Sequence, residues 1–191
     1  PKSFLFLRSL SQWLGGMGII VLSIAILPLL GIGGMQLFQA ESPGPTTDKL
    51  TPRVQQTAKL LWVIYLALTA FEFVLLWIHP SMDWFEALNH AFATLATGGF
   101  STKNASIAAF DSVYIDVVIT VFMFLAGINF AMHFRLFKGD FGHFFDNREI
   151  LFYGVITAVS IVVISLSLFF FDAYDLGEAL RYGSFQAVAI I

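Results

Sequence analysis

The sequence contains no cysteine. Disulfides and thiolate metal sites are therefore excluded, and the redox compartment is left open. Charge is scarce too. Asp, Glu, Lys and Arg make up 12% of the 191 residues, against roughly 25% in soluble domains. The ten Lys and Arg form no basic stripe, which excludes nucleic acid as a partner. There is no HExxH and no GxSxG, and no pair of Asp residues faces across adjacent apolar segments. No nucleophile or catalytic base stands out, so the chain reads as a non-enzyme that needs no cofactor. No signal peptide is visible. Pro1-Lys2-Ser3 is not a translation start, and Ile190-Ile191 lies inside an apolar run. The expectation is that both ends are cut from a longer chain.

Apolar sequence is what the chain has in quantity. Hydrophobic residues reach 58%, with 22 Phe and a mean hydropathy of +0.80. The implied solvent is a lipid bilayer. Four segments are long enough to span it: Trp13–Phe38, Leu60–Ile78, Val117–Phe134 and Ile150–Phe171. Two shorter ones, Trp84–Ala96 and Leu176–Ile191, begin amphipathic and become apolar. The fold class expected is all-α transmembrane, with helix–pore loop–helix units and re-entrant short helices. Residues 1–57 would hold the end of one unit and a loop. Residues 58–137 would hold a whole unit, and 138–191 the first half of another.

The segment after the first short helix is the most informative. Trp84–Ala96 is too short to cross a hydrocarbon core of roughly 30 Å at about 1.5 Å per residue. It runs into Thr97-Gly98-Gly99-Phe100-Ser101-Thr102. Non-helical backbone at membrane depth is tolerated where protein buries it or where it lines a water-filled path. Glycine leaves carbonyls accessible and permits unusual dihedrals. Rings of such carbonyls replace the hydration shell of potassium in channel filters. Thr97, Gly98, Gly99 and Phe100 are thus the candidate ion-binding residues, with potassium at Thr97, Gly98 and Gly99.

Orientation follows from Lys and Arg. The loops Gln39–Lys59 and Arg135–Glu149 carry Lys49, Arg53, Lys59, Arg135, Lys138 and Arg148. The other side carries Lys2, Arg8, Lys103 and Arg181, with Asp83, Glu86, Asp111, Asp116, Asp172, Asp175 and Glu178. The positive-inside rule puts those two loops in the cytoplasm and the glycine pair toward the outside. Acids at the outer mouth raise the local cation concentration. A weak repeat, Glu86-Ala87-Leu88 and Glu178-Ala179-Leu180, opens both short helices. One whole unit cannot close a pore alone.

These residues resemble the Trk/Ktr/HKT superfamily of potassium transporters, most closely its bacterial Trk membrane-subunit branch. The stretches that carry the resemblance are Arg8–Gly18, Glu41–Pro45, Ala96–Thr102 and Gly127-Ile128-Asn129-Phe130. The resemblance implies four repeats in one polypeptide around a single pathway, with Gly99 as the second repeat's filter glycine. It implies uptake of potassium, with sodium as an alternative ion, across the cell inner membrane. It also implies that the rest of the transporter chain supplies the other filters. A homodimer and a cytoplasmic nucleotide-binding regulatory subunit are implied in the same way.

Other residues carry weaker signals. Glu72, mid-span, is a candidate pore residue by default, and pairing with a polar group on a neighbouring helix is the favoured alternative. Asn129 and His133 fit interhelical bonds or an inner vestibule. His90 fits satisfied burial. Gly15, Gly16 and Gly18 fit close helix contacts. Trp13, Trp62, Trp77 and Trp84 fit an interfacial belt. Lys103 reads as a solvated lysine, with Asp111 as candidate partner. A non-transporting membrane scaffold or interaction module is the competing function class. Further Thr-x-Gly loops in flanking sequence would decide for transport.

Overall fold

Two aspartates set where the two short helices begin. Asp83 accepts from the Glu86 N–H at 2.6 Å, and the Glu86 carboxylate accepts from the Asp83 N–H at 3.4 Å. This reciprocal capping box satisfies two groups that a helix start otherwise orphans. Asp175 caps the second short helix, accepting from the Gly177 N–H at 3.3 Å.

The computed structural model describes residues 1–26, 50–128, 132, 133, 136, 147–171 and 174–191. Its main elements are α1 (Lys2–Ile26), α2 (Leu50–Ile78), α3 (Trp84–Leu95), a 3-10 turn (Ser106–Phe110), α4 (Val113–Gly127), α5 (Arg148–Phe171) and α6 (Leu176–Ile190). Both short helices form where the sequence placed them. Other boundaries move. α1 begins at Lys2, well before Trp13, and α4 begins at Val113, capped by Ser112. α2 begins at Leu50, inside what reads as an aqueous loop up to Thr57. Pro52 misled that reading. In a first helical turn its missing N–H breaks no intrahelical bond.

α2 and α3 form one antiparallel hairpin, and α1 lies against both. α5 and α6 form a second hairpin, and α4 lies against α6. The buried face of α2 is Leu61, Tyr65, Thr69, Glu72 and Leu76, at helical spacing. Trp13 belongs to this core and not to an interfacial belt. Its ring stacks on Tyr65 at 5.2 Å and tilts against Phe92 at 5.1 Å, and its indole N–H donates to Thr69 Oγ1 at 3.0 Å. The Tyr65 hydroxyl donates to the Trp13 carbonyl at 3.1 Å. Trp62 meets Trp13 edge-on at 5.9 Å. Trp77 and Trp84 are exposed, as a belt requires.

Two helices among the described residues are long and apolar enough to span a bilayer, Lys59–Ile78 and Arg148–Phe171. The expected spans Trp13–Phe38 and Val117–Phe134 lie partly outside the described residues. α5 exposes Leu151, Phe152, Val155, Val159, Val163 and Phe170. In water such a face drives association. Hydrocarbon matches it.

Candidate functional site

α3 stops at Leu95 because its end is tied off by the chain that follows. The Gly98 N–H donates to the Ala93 carbonyl at 2.8 Å, and the Thr97 N–H to the Thr94 carbonyl at 2.9 Å. Such bonds satisfy last-turn carbonyls and turn the chain away from the axis. Thr97 and Gly99 both take left-handed backbone, at φ 52° and 69°. For β-branched Thr97 that conformation is strained by about 1–3 kcal/mol and needs surroundings that hold it.

The two glycines are needed for different reasons. A Cβ on Gly99 would meet nothing within 4 Å, but its φ disfavours any side chain. A Cβ on Gly98 would come 2.8 Å from Gln12 Oε1 and 3.0 Å from Gln12 Cδ. Gly99 is conformational; Gly98 makes room for α1.

The carbonyls of Thr97, Gly98, Gly99 and Phe100 accept no hydrogen bond from any described residue. Thr97, Gly99 and Phe100 are exposed and Gly98 half-buried, so these carbonyls are open to water or to a ligand. Thr97, Gly99 and Phe100 border a cavity of about 400 Å³, whose lining also includes Phe185 and Val188 of α6, Ile191 just after it and Tyr153 of α5. The unclaimed run ends at Ser101, whose carbonyl accepts from Arg8 Nη2 at 2.7 Å.

Ser101 is held from a second side. His90 Nδ1 lies 2.7 Å from the Glu86 carbonyl and its Nε2 lies 2.8 Å from Ser101 Oγ. A carbonyl only accepts, so Nδ1 carries the proton. In the neutral ring Nε2 then accepts from the Ser101 hydroxyl. Ser101 Oγ accepts from the Lys103 N–H at 3.0 Å. His90 is buried, as the sequence reading expected, and its polar atoms have specific work.

Lys103 is exposed, as expected, but its partner is not the expected one. Its ammonium pairs with Glu86 at 2.5 Å and sits 5.7 Å from the Phe110 ring centroid. The Glu86 carboxylate holds the Lys103 ammonium above its ordinary pKa. Asp111, the candidate partner, instead lies 3.6 Å from Arg181. The α3 cap thus turns the cation away from the candidate ion path.

Glu72 is fully buried. Thr94 is its polar neighbour, but the Thr94 hydroxyl donates to the His90 carbonyl at 2.8 Å. Neither Glu72 oxygen has a hydrogen-bond partner among the described residues. Thr94 of α3 is thus the polar group nearest to the expected interhelical pairing. Asn129 lies outside the described residues. His133 is buried away from the cavity lining. Of the glycine cluster, Gly16 makes the closest contact: a Cβ there would lie 3.2 Å from Ala96 Cα, whereas Gly15 faces open space.

Arg8 and Gln12 escaped the sequence reading as filter neighbours. The available signal was their spacing with Gly16, which puts all three on one face of a helix. Nothing in the sequence said what that face meets.

An all-α bundle with lipid-matching faces is the architecture of a membrane protein. The family model described as TrkH: Cation transport protein matches residues 1–190. The chain belongs to that family. The Trk system potassium uptake protein TrkH of Halomonas elongata is 43% identical over 192 residues, covering 100% of this chain and 40% of its own length. The TrkH protein of Escherichia coli K12 is 46% identical over 177 residues, covering 92% of this chain and 36% of its own. The crystal structure of the potassium transporter TrkH from Vibrio parahaemolyticus superposes with a TM-score of 0.80 at 39% identity, covering 100% of this chain and 38% of that one. The chain thus spans about 40% of the length of such relatives.

Proposed function

We propose that this chain is the part of a potassium-uptake transporter that carries one of its selectivity-filter strands. The single observation that carries the reading is the run of four carbonyls at Thr97, Gly98, Gly99 and Phe100 that no described residue claims, three of them in residues that border a cavity. A dehydrated cation needs such oxygens, and Thr97, Gly99 and Phe100 are exposed beside the cavity, where a cation or water can reach their carbonyls. Potassium is the transported ion and sodium its competitor at Thr97, Gly98 and Gly99. α3 is a re-entrant helix from the outer side. The negative end of its dipole lies where the strand begins and favours a cation there.

α2, α3, the strand and α4 form one helix–pore loop–helix repeat. α1 is the last helix of the preceding repeat, and α5 with α6 opens the following one. Four such repeats, three of them completed by chain beyond this sequence, surround one path across the inner membrane. The resemblance to the Trk/Ktr/HKT superfamily leads us to propose a homodimer with a cytoplasmic nucleotide-binding regulatory subunit. Cytoplasmic placement of Gln39–Thr57 and Arg135–Glu149 follows from their basic residues.

The test is growth on limiting potassium by cells that depend on the complete transporter containing this sequence. Gly99→Asp should abolish growth while membrane abundance stays normal. Growth at the wild-type rate with this variant would favour a non-transporting scaffold.

A further inference from the structure

The candidate filter is not supported by its own repeat alone. Three residues of α1 approach it at successive turns. Gly16 abuts Ala96, where a Cβ would come within 3.2 Å of the Ala96 Cα. Gln12 fills the space against Gly98, and its Oε1 is buried without a hydrogen-bond partner among the described residues. Arg8 reaches the far end, donating to the Ser101 carbonyl at 2.7 Å with its guanidinium 4.9 Å from the Phe100 ring centroid. Residues at i, i+4 and i+8 lie on one helix face. The stripe Gly16, Gln12, Arg8 therefore runs along Ala96, Gly98 and Ser101 in order, antiparallel to the strand.

We propose that this α1 stripe is a template that sets the filter's carbonyl positions from behind, making Arg8, Gln12 and Gly16 positioning residues for ion discrimination. The inference rests on the reading of Thr97–Phe100 as a filter.

Three physical points carry it. First, the strand has left-handed backbone at Thr97 and Gly99 and no ladder bonds of its own. Such a conformation persists only when neighbours over-determine it. Second, the stripe touches Ala96, Gly98 and Ser101, so it braces the strand just before it, within it and just after it. Third, each contact has a different chemistry suited to its place. A missing Cβ admits backbone to backbone at Ala96, a flexible amide wedges against Gly98, and a planar charged donor pins the last carbonyl and covers an aromatic ring. His90 pins the same Ser101 from α3 through Oγ, so the strand end is fixed by two helices. In this arrangement the preceding repeat carries the geometry of the next repeat's filter.

The experiment uses the complete transporter in cells and in proteoliposomes. The readout is the ratio of potassium to sodium competition against rubidium uptake, which does not depend on how much protein is present. Arg8→Gln and Gly16→Leu should each lower that ratio about three- to tenfold, the worth of one hydrogen bond or one misfit contact at the filter. Arg8→Lys keeps charge and one donor and should fall between wild type and Arg8→Gln. Leu7→Ala, on the exposed side of α1, should leave the ratio unchanged. Gly16→Ala and Arg8→Lys supply the ratio if the larger changes fail to accumulate. An unchanged ratio in Arg8→Lys, Arg8→Gln and both Gly16 variants would overturn the template. If Gly99→Ser lowers the ratio while the α1 variants do not, the template alone falls. If Gly99→Ser also leaves it unchanged, the filter reading falls with it.

Discussion

Arg181 Nε lies 2.5 Å from Asp116 Oδ2, joining α6 to α4. The same relationship exists one hairpin earlier, where the Ser9 hydroxyl of α1 meets Asn89 Oδ1 of α3 at 2.5 Å. Asn89 and Arg181 stand at the same distance along their helices from the capping Asp83 and Asp175. Each short helix is thus latched, at equivalent positions, to the long helix before the hairpin. The latch is neutral in one case and ionic in the other.

Breaking the ionic latch from one side should cost more than removing it from both. The side chains of Arg181 and Asp116 are 16% and 11% exposed. Removing Arg181 leaves Asp116 a largely desolvated charge, at a cost of about 1–2 kcal/mol once residual solvent screening is allowed for, whereas removing Asp116 leaves Arg181 its contact with Asp111 at 3.6 Å and should cost less. Arg181→Met and Asp116→Leu should each lower the melting temperature of the purified complete transporter in detergent. The double variant should recover much of the loss. Additive losses would show that the two residues act independently.

Gly98 and Gly99 should respond differently to the same small change. Gly98→Ala meets only the end of the Gln12 side chain at close range, so Gln12→Ala should relieve it. Gly99→Ala is strained by its backbone, by about 1 kcal/mol or more, and Gln12→Ala should not help. Rubidium uptake by the four variants separates the cases. Rescue of Gly99→Ala by Gln12→Ala would contradict the assignment.

Glu72→Gln should be tolerated. The change keeps shape, and a carboxyl buried without an ion partner among the described residues is held neutral, so no charge is lost. The variant should match wild type in thermal stability to within about 1 kcal/mol. A marked loss of stability would mean that the carboxylate is ionised and held by a partner.

Topology has a direct check, because the chain lacks cysteine. Single cysteines at Ser42 and Asn147 should be shielded from an impermeant thiol reagent in intact cells, whereas one at Asn104 should be labelled. Labelling at position 42 or 147 from outside would reverse the orientation.

The short helices were legible because length alone separates them from spans, and because Glu86-Ala87-Leu88 and Glu178-Ala179-Leu180 mark both starts. Their aspartate caps extend that match and were visible in the sequence, although only geometry shows that they cap. Helix starts were misplaced where the reading relied on apolarity. Polar first turns such as Thr51-Pro52-Arg53 are helical through their position, not their hydropathy. Trp13 was misread because tryptophan serves equally at an interface and in a core. Asp111 was only a candidate partner for Lys103, and the fold brings Glu86 of the α3 cap to it instead. The candidate strand was legible from its glycines. Its support by Arg8, Gln12, Gly16 and His90 was not, because those contacts join residues far apart in the chain.

The most direct test of the central claim is ion discrimination in the complete transporter carrying Gly99→Ser. Potassium and sodium are competed separately against rubidium uptake, with membrane abundance measured alongside. A filter at Thr97–Phe100 predicts normal abundance with a clear loss of preference for potassium over sodium, because an added side chain at φ 69° displaces the carbonyls. Wild-type preference at wild-type uptake would contradict the account, since the residue could not then belong to the strand that selects the ion.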